Sequence, residues 1–342
     1  MFGAISSIDL KYLVSLTCPL RFLYDKLNLK YVPDIHRYNE LMKDYRIRDI
    51  NLVKPRNRII SMCDGRLNHN GLTDRLRGIL TTYAIAKSFK RPFYINWTSP
   101  FRLEDYLEPN GYDWRILPEE INYDIRFSCP LVFNIYPSKK YKKRNILSYF
   151  IFVKWISEKK RDKHIYTNFY FPKKKFPKLY NELFKPSDML CFEINQHLAQ
   201  LGDYFWSFSF RFACLLGDFK DSYGSPLDSE AAEKLIKKNI DELRLLINKL
   251  PDGYKCLITS DSQKFLKRVS LVDQRIYIVP GSISHIDLDI TSENDWHKLF
   301  IDQNLIMRAE RVFLMQTDGM YKSRFAEFAA LIGGKEFVYH QF

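Results

Sequence analysis

Four short stretches carry side chains that could hold an anion or move a proton. The first is Asn70-Gly71-Leu72-Thr73-Asp74-Arg75-Leu76-Arg77-Gly78, where an apolar run ends in a small-residue turn and a helix begins at Thr73 or Asp74. Arg75 and Arg77 stand in its first turn, where the helix macrodipole disfavours cations, so a negatively charged partner is expected there. The second is Ser209-Phe210-Arg211-Phe212, a lone arginine at the end of an aromatic strand. Its fork suits a phosphate, and a structural ion pair would suit it equally. The third, Thr259-Ser260-Asp261-Ser262, offers hydroxyls and a carboxylate to a ribose or base, or caps a helix. The fourth, Gln316 to Phe325, runs through Gly319 and Ser323-Arg324 into a helix, offering backbone N–H groups and the Ser323 hydroxyl to an anion. No phosphate-binding loop of the nucleotide hydrolases and no G-x-G-x-x-G is present.

These stretches need elements to hold them. Ile59–Cys63, the helix from Asp74 and Arg91–Trp97 read as strand–turn–helix–strand. In the C-terminal half, strands at Tyr204–Phe212, Lys255–Ser260, Arg275–Val279, Arg311–Gln316 and Glu336–Tyr339 alternate with helices from Asp228, from Asp261-Ser262, over Asn294–Ala309 and over Ser323–Ile332. Such alternation predicts an α/β fold with parallel sheets, whose ligands sit beyond the carboxyl ends of the strands. The expected organisation is a helical N-terminal extension (1–55), an α/β domain with a basic insertion (56–200) and a second Rossmann-like domain (201–342), with a cleft between the two domains.

The chain has 342 residues, a hydrophobic content of 46%, and a net charge of +13. That composition is globular. Between Ser138 and Lys178 fourteen Lys and Arg face two acids, Glu158 and Asp162, so nearly all the excess charge is local. The block, from Lys139-Lys140-Tyr141-Lys142-Lys143-Arg144 to Lys178, reads as one basic face suited to an anionic membrane or a polyanionic acceptor. No recognisable nucleic-acid module accompanies it, so nucleic acid is not expected as a partner. Six scattered cysteines lack metal-ligand spacing and read as free thiols in a reducing compartment. Tyr12–Tyr24 is too short and interrupted to span a membrane, and a signal peptide is not expected. The expected location is cytoplasmic, and the basic block allows a peripheral position at the inner face of the membrane.

The order of Asn70–Gly78, Arg91–Trp97, Phe210-Arg211, Thr259–Ser262 and Ser323-Arg324-Phe325 resembles the fucosyltransferase-like glycosyltransferases, which include the nodulation, core-glycan, xyloglucan and protein O-fucosyltransferases. The resemblance covers the layout from Arg56 to Phe342. It implies a GT-B architecture, with a GDP-sugar, GDP-fucose first, held by the C-terminal domain. On this reading Arg211 contacts the β-phosphate, Asp261 and Ser262 the nucleoside, and Ser323 with Phe325 the pyrophosphate side, with Ser260 and Arg324 also on the donor. The loop of His69, Asn70, Gly71, Asp74, Arg75 and Arg77 faces the cleft from the acceptor side. Where relatives often carry histidine two residues before the arginine, this chain has Ser209.

Inverting sugar transfer needs a base and a stabiliser for the departing diphosphate. Arg211 is the expected stabiliser. Asp218 is the first candidate base, followed by Asp74 and Asp221, with His69 a further candidate. Neither a cofactor nor a metal is expected beyond the nucleotide-sugar donor. The acceptor is expected to be a glycan or lipid-linked glycan, as in bacterial surface-polysaccharide assembly. Two other readings stay open: a metal-dependent transferase using Asp287 and Asp289, and a non-catalytic polyanion-binding protein using the Lys139–Lys178 block.

Overall fold

The computed structural model describes residues 37, 40–45, 56–133, 160–221, 223–282, 286, 296–317 and 319–342. Most of the expected N-terminal extension, most of the basic block and the Asp287–Asp289 pair lie outside the described residues.

The first half is built on a four-stranded sheet, β1 (Ile59–Cys63), β2 (Phe93–Trp97), β4 (Ser128–Phe133) and β5 (Asp162–Thr167), in the order β2-β1-β5-β4 with every pairing parallel. A small antiparallel pair, β3 (Leu107–Pro109) with β6 (Phe184–Pro186), flanks it. Helix α1 (Leu72–Ser88) links β1 to β2 and buries Leu72, Leu76, Ile79, Leu80 and Tyr83 at the spacing its sequence requires. It crosses the end of β5 at Gly78, where a Cβ would come within 1.9 Å of the Thr167 carbonyl oxygen, so only glycine allows the approach. Helices α2 (Phe176–Leu183) and α3 (Asp188–Leu201) follow β5.

The second half is a five-stranded parallel sheet, β7 (Phe205–Phe210), β8 (Lys255–Ser260), β9 (Ile276–Tyr277), β10 (Arg311–Gln316) and β11 (Glu336–Gln341), in the order β11-β10-β7-β8-β9. Helices α4 (Ser229–Ile247), α5 (Gln263–Val269), α6 (Trp296–Ile306) and α7 (Phe325–Gly333) join consecutive strands. Asp228 caps α4 by accepting from Ala231 N at 2.8 Å, the start its sequence signals. The expected alternation is present, with β9 shortened to two residues because the chain turns away at Val279-Pro280-Gly281.

Strand order reverses once in each sheet. In the first the break falls between β1 and β5, in the second between β7 and β10. These are the switch points where open α/β sheets leave a crevice beyond the strand ends. The register Phe210↔Ser260 and Met315↔Phe210 sets Arg211, Asp261 and Gln316 abreast at the second break.

One apolar core runs through both halves. Its seam is aromatic: the Tyr106 ring stacks on Phe300 at 4.5 Å, and Phe101 meets Trp296 at 5.5 Å and Phe300 at 5.7 Å. A second core lies under α4 and α5, around Phe208, Phe210, Phe265 and Leu243.

Part of the basic block is interior. Asp162, Lys163 and His164 are buried within β5, and Asp162 binds Arg58, with Arg58 Nε donating at 2.9 Å and the Arg58 backbone N at 2.8 Å. Among the described residues, Cys63, Cys129, Cys191, Cys214 and Cys256 are free thiols, and burial pushes Cys256 up to about 12. No described helix is long and apolar enough to cross a membrane.

Candidate active site

Between the two switch points lies a cleft of about 1070 Å³, lined by residues of both halves. Arg211 enters it directly from β7. The chain then turns through Ala213, which takes a left-handed φ of 53°. Asp261, at the end of β8, holds that turn: its carboxylate accepts from Phe212 N at 2.8 Å and Ala213 N at 2.7 Å. The same carboxylate lies 3.2 Å from Arg211 Nε. Asp221 pairs with the outer guanidinium nitrogen, and the guanidinium carbon sits 4.7 Å from the Phe219 ring centroid. Arg211 is thus fixed by two carboxylates and a ring, with a fifth of its side chain open to the cleft. Burial pushes Asp261 up to about 6, against the pull of Arg211 and the two backbone donors.

The fourth stretch forms the adjoining wall. Tyr321 N donates to the Arg211 carbonyl at 3.1 Å, and Ser323 Oγ accepts from Phe325 N at 3.2 Å. Helix α7 begins with no side-chain cap at Arg324, and Ser323, Arg324, Phe325 and Ala326 all line the cleft. A helix N-terminus opening there favours an anion.

The opposite wall comes from the first half. Asn70, at φ 61°, turns the chain into α1, and Asn70, Gly71, Asp74 and Arg77 line the cleft. Asp74 Oδ1 accepts from Arg77 Nη1 at 2.8 Å. The Tyr321 phenol reports how the walls meet: burial raises it, Asp74 raises it further, and Arg211 opposes. Tyr321 thus feels both Asp74 on one wall and Arg211 on the other, and its backbone N bonds the Arg211 carbonyl.

Four of the expected residues lie away from the cleft lining. Asp218 Oδ2 accepts from Ser262 Oγ at 2.9 Å and from Lys264 N at 2.8 Å, so Asp218 and Ser262 together close the start of α5. Arg75 turns inward, donating to the Asn70 and Ser99 carbonyls at 2.9 and 2.6 Å with its guanidinium over Trp97. It braces the turn from beneath. His69 is buried on the Tyr166 ring at 5.7 Å, and burial, with Arg75 and Arg37 nearby, holds it well below its ordinary value and neutral. Ser260 does line the cleft, and its hydroxyl accepts from Ser262 N at 3.1 Å.

The sequence reading missed two groups that line the same cleft. Lys298 and Asp302 form a buried pair on α6, with Nζ 3.0 Å from Oδ2 and 2.9 Å from the Val279 carbonyl. The i,i+4 spacing was visible, but α6 buries Lys298, Asp302, Gln303 and Asn304 along with its apolar residues, which erases the usual polar face. Tyr170 and Lys173, from the loop after β5, were hidden inside the basic block. Among the described residues no group of three or more His, Cys, Asp or Glu could hold a metal ion.

No family model and no curated protein matches the sequence. Solved structures do. A FUT1 variant of Arabidopsis thaliana in complex with GDP superposes with a TM-score of 0.54 at 13% identity, over 95% of this chain and 78% of that one. The NodZ alpha-1,6-fucosyltransferase soaked with GDP-fucose gives 0.53 at 15% identity, over 80% and 92%. NodZ from Bradyrhizobium, as its selenomethionine form, gives 0.52 at 16%, over 82% and 93%. At these identities the likeness is one of fold. Two parallel sheets with facing switch points, on a chain of this length, have the GT-B architecture of the fucosyltransferases.

Proposed function

We propose that the chain is an inverting glycosyltransferase that moves a sugar, fucose first, from a GDP-sugar to a hydroxyl of a glycan or lipid-linked glycan, without a metal ion. The half before residue 201 takes the acceptor and the half after it the donor. The observation that carries this reading is that one cleft is lined by Arg211 and the start of α7 from the second half and by Asp74 from the first. Arg211 is prearranged for the charge that develops on a departing diphosphate, and prearranged donors stabilise such charge far better than mobile water does. The N-terminus of α7 adds backbone N–H groups to the same task.

Asp74 takes the role of base. The acceptor oxygen gives its proton to the Asp74 carboxylate and bonds to the anomeric carbon; the carbon–oxygen bond to the diphosphate breaks on the opposite face, and its electron pair leaves with the β-phosphate. Arg77 Nη1 donates to Asp74 Oδ1 at 2.8 Å. Asp221 pairs with Arg211 and Asp218 with the start of α5; Asp74, paired with Arg77, is the carboxylate that the acceptor half contributes to the cleft.

Asp302 supports guanine as the base. Its two oxygens, which accept from Lys298 Nζ at 3.3 and 3.0 Å, keep further lone pairs for two adjacent N–H donors, which guanine presents and uracil does not. The NodZ and FUT1 structures named above hold GDP-fucose and GDP. A cytoplasmic site beside a membrane suits a lipid-linked acceptor and belongs to the same proposal.

Calorimetric titration of GDP, UDP and ADP with EDTA present, on wild type and Arg211→Ala, tests the reading. Selective GDP binding that the variant loses is the expected result. UDP selectivity, or binding that needs Mn²⁺, overturns the donor assignment; polyanion binding without nucleotide affinity overturns the activity.

A further inference from the structure

Beside Asp74 the cleft holds more positive charge than its acids neutralise. Three cations and two carboxylates gather from three elements: Asp74 and Arg77 on α1, Lys173 on the loop after β5, and Arg324 and Glu327 on α7. All five line the cleft. Arg77 Nη1 pairs with Asp74, while Lys173 Nζ reaches Glu327 Oε1 at 3.0 Å and Arg324 bonds the other Glu327 oxygen. Tyr170 floors the group, its ring centroid 4.2 Å from the Arg77 guanidinium carbon and 5.4 Å from Lys173 Nζ.

One N–H in this group is enclosed by the protein. Arg77 Nε is buried and has no hydrogen-bond partner. Three cations that share two carboxylates at the cleft wall leave positive charge that an oxyanion in the cleft neutralises. Burial pulls the Arg77 guanidinium down from its ordinary value; Arg324 pulls the same way, and Asp74, Tyr170 and Glu327 oppose.

We propose that Arg77 and Lys173 form an oxyanion subsite that reads a carboxylate or phosphate on the acceptor, so that the sugar is transferred to an acidic glycan. The inference rests on Asp74 receiving the acceptor hydroxyl. Arg77 lies one helical turn further along α1, on the same wall, so it meets a substituent of the sugar whose hydroxyl Asp74 faces. Arg211, with its own pair of carboxylates, serves the donor diphosphate.

The test titrates wild type, Arg77→Gln and Lys173→Gln with glucuronate, glucose 6-phosphate and glucose, with and without saturating GDP. Calorimetry or saturation-transfer NMR provides the readout. At least one acidic sugar should bind ten times more tightly than glucose, and the stronger of the two names the oxyanion as carboxylate or phosphate. Each substitution should weaken that binding at least fivefold and leave GDP affinity within twofold of wild type. Equal binding of glucose, no binding of either acid, or insensitivity to both substitutions overturns the proposal. Loss of GDP binding in the variants also overturns it, because the cluster then belongs to the donor diphosphate. If Arg77→Gln does not fold, Lys173→Gln decides, since Lys173 is about half exposed. Failure of wild type to bind GDP counts against the nucleotide-sugar reading alone; the titrations without GDP still decide the subsite.

Discussion

Asp261 and Arg211 come from neighbouring strand ends, and one carboxylate does two jobs between them. It folds the turn at Phe212 and Ala213 and holds Arg211 Nε at 3.2 Å.

That carboxylate titrates near 6, so donor binding should depend on pH. A bound diphosphate favours the protonated, uncharged Asp261 and raises its pKa further. Affinity for GDP-fucose, whose diphosphate does not titrate in this range, should therefore rise as pH falls from 8 and level off below about 6. Calorimetry across that range checks it, and Asp261→Asn should flatten the profile.

Asp74 and Asp218 separate by readout. Asp74→Asn should lower kcat by roughly 10²–10⁴-fold with donor affinity retained, as for loss of a general base. Asp218→Asn should keep turnover and lose about 0.5–2 kcal/mol of stability, as for removal of a helix cap. A thermal melt beside a single-turnover assay tells them apart. The opposite pattern would return the base to Asp218.

Asp302→Asn should cost GDP about 1.5–3 kcal/mol of affinity, the worth of hydrogen bonds to a charged acceptor. Discrimination against UDP should shrink with it. Competition titrations of GDP with UDP read both effects.

Gly78→Ala drives a methyl into the Thr167 carbonyl. The helix or β5 must shift, at a cost of about 1–3 kcal/mol, as for overpacking. Chemical denaturation measures the loss. Because Asn168, Tyr170 and Lys173 follow Thr167 into the cleft, acceptor KM should rise as well.

Much of this architecture could be read from the chain. Buried strands such as Phe205–Phe210 and Lys255–Ser260 show as apolar runs, and their order with the helices gives the parallel sheets. Arg211 stood out because a lone cation ended such a run, and Asp261 because it followed one. Other features depended on partners distant in sequence. Nothing near Asp218 signals that Ser262 and Lys264 will bind it, and nothing near Arg75 signals that the Ser99 carbonyl will draw it inward. Both residues were polar and well placed, Asp218 in a loop and Arg75 in the first turn of α1, and tertiary hydrogen bonds decided their roles. The basic block misled for another reason. Its charge density masked β5, in which Lys163 and His164 are interior residues. Lys298 and Asp302 were hidden by burial around the whole of α6.

The aromatic seam of Phe101, Tyr106, Trp296 and Phe300 has a thermodynamic consequence. Interfaces inside a chain normally let two lobes melt separately unless they are large and apolar. Here a shared core makes each lobe a condition for the other, so heating should give a single endotherm with equal calorimetric and van't Hoff enthalpies. Phe300→Ala, which removes the stacking partner of Tyr106 and a contact of Phe101, should split that endotherm in two. The lobe carrying Arg211 could then be melted, and its GDP protection measured, apart from the lobe carrying Asp74.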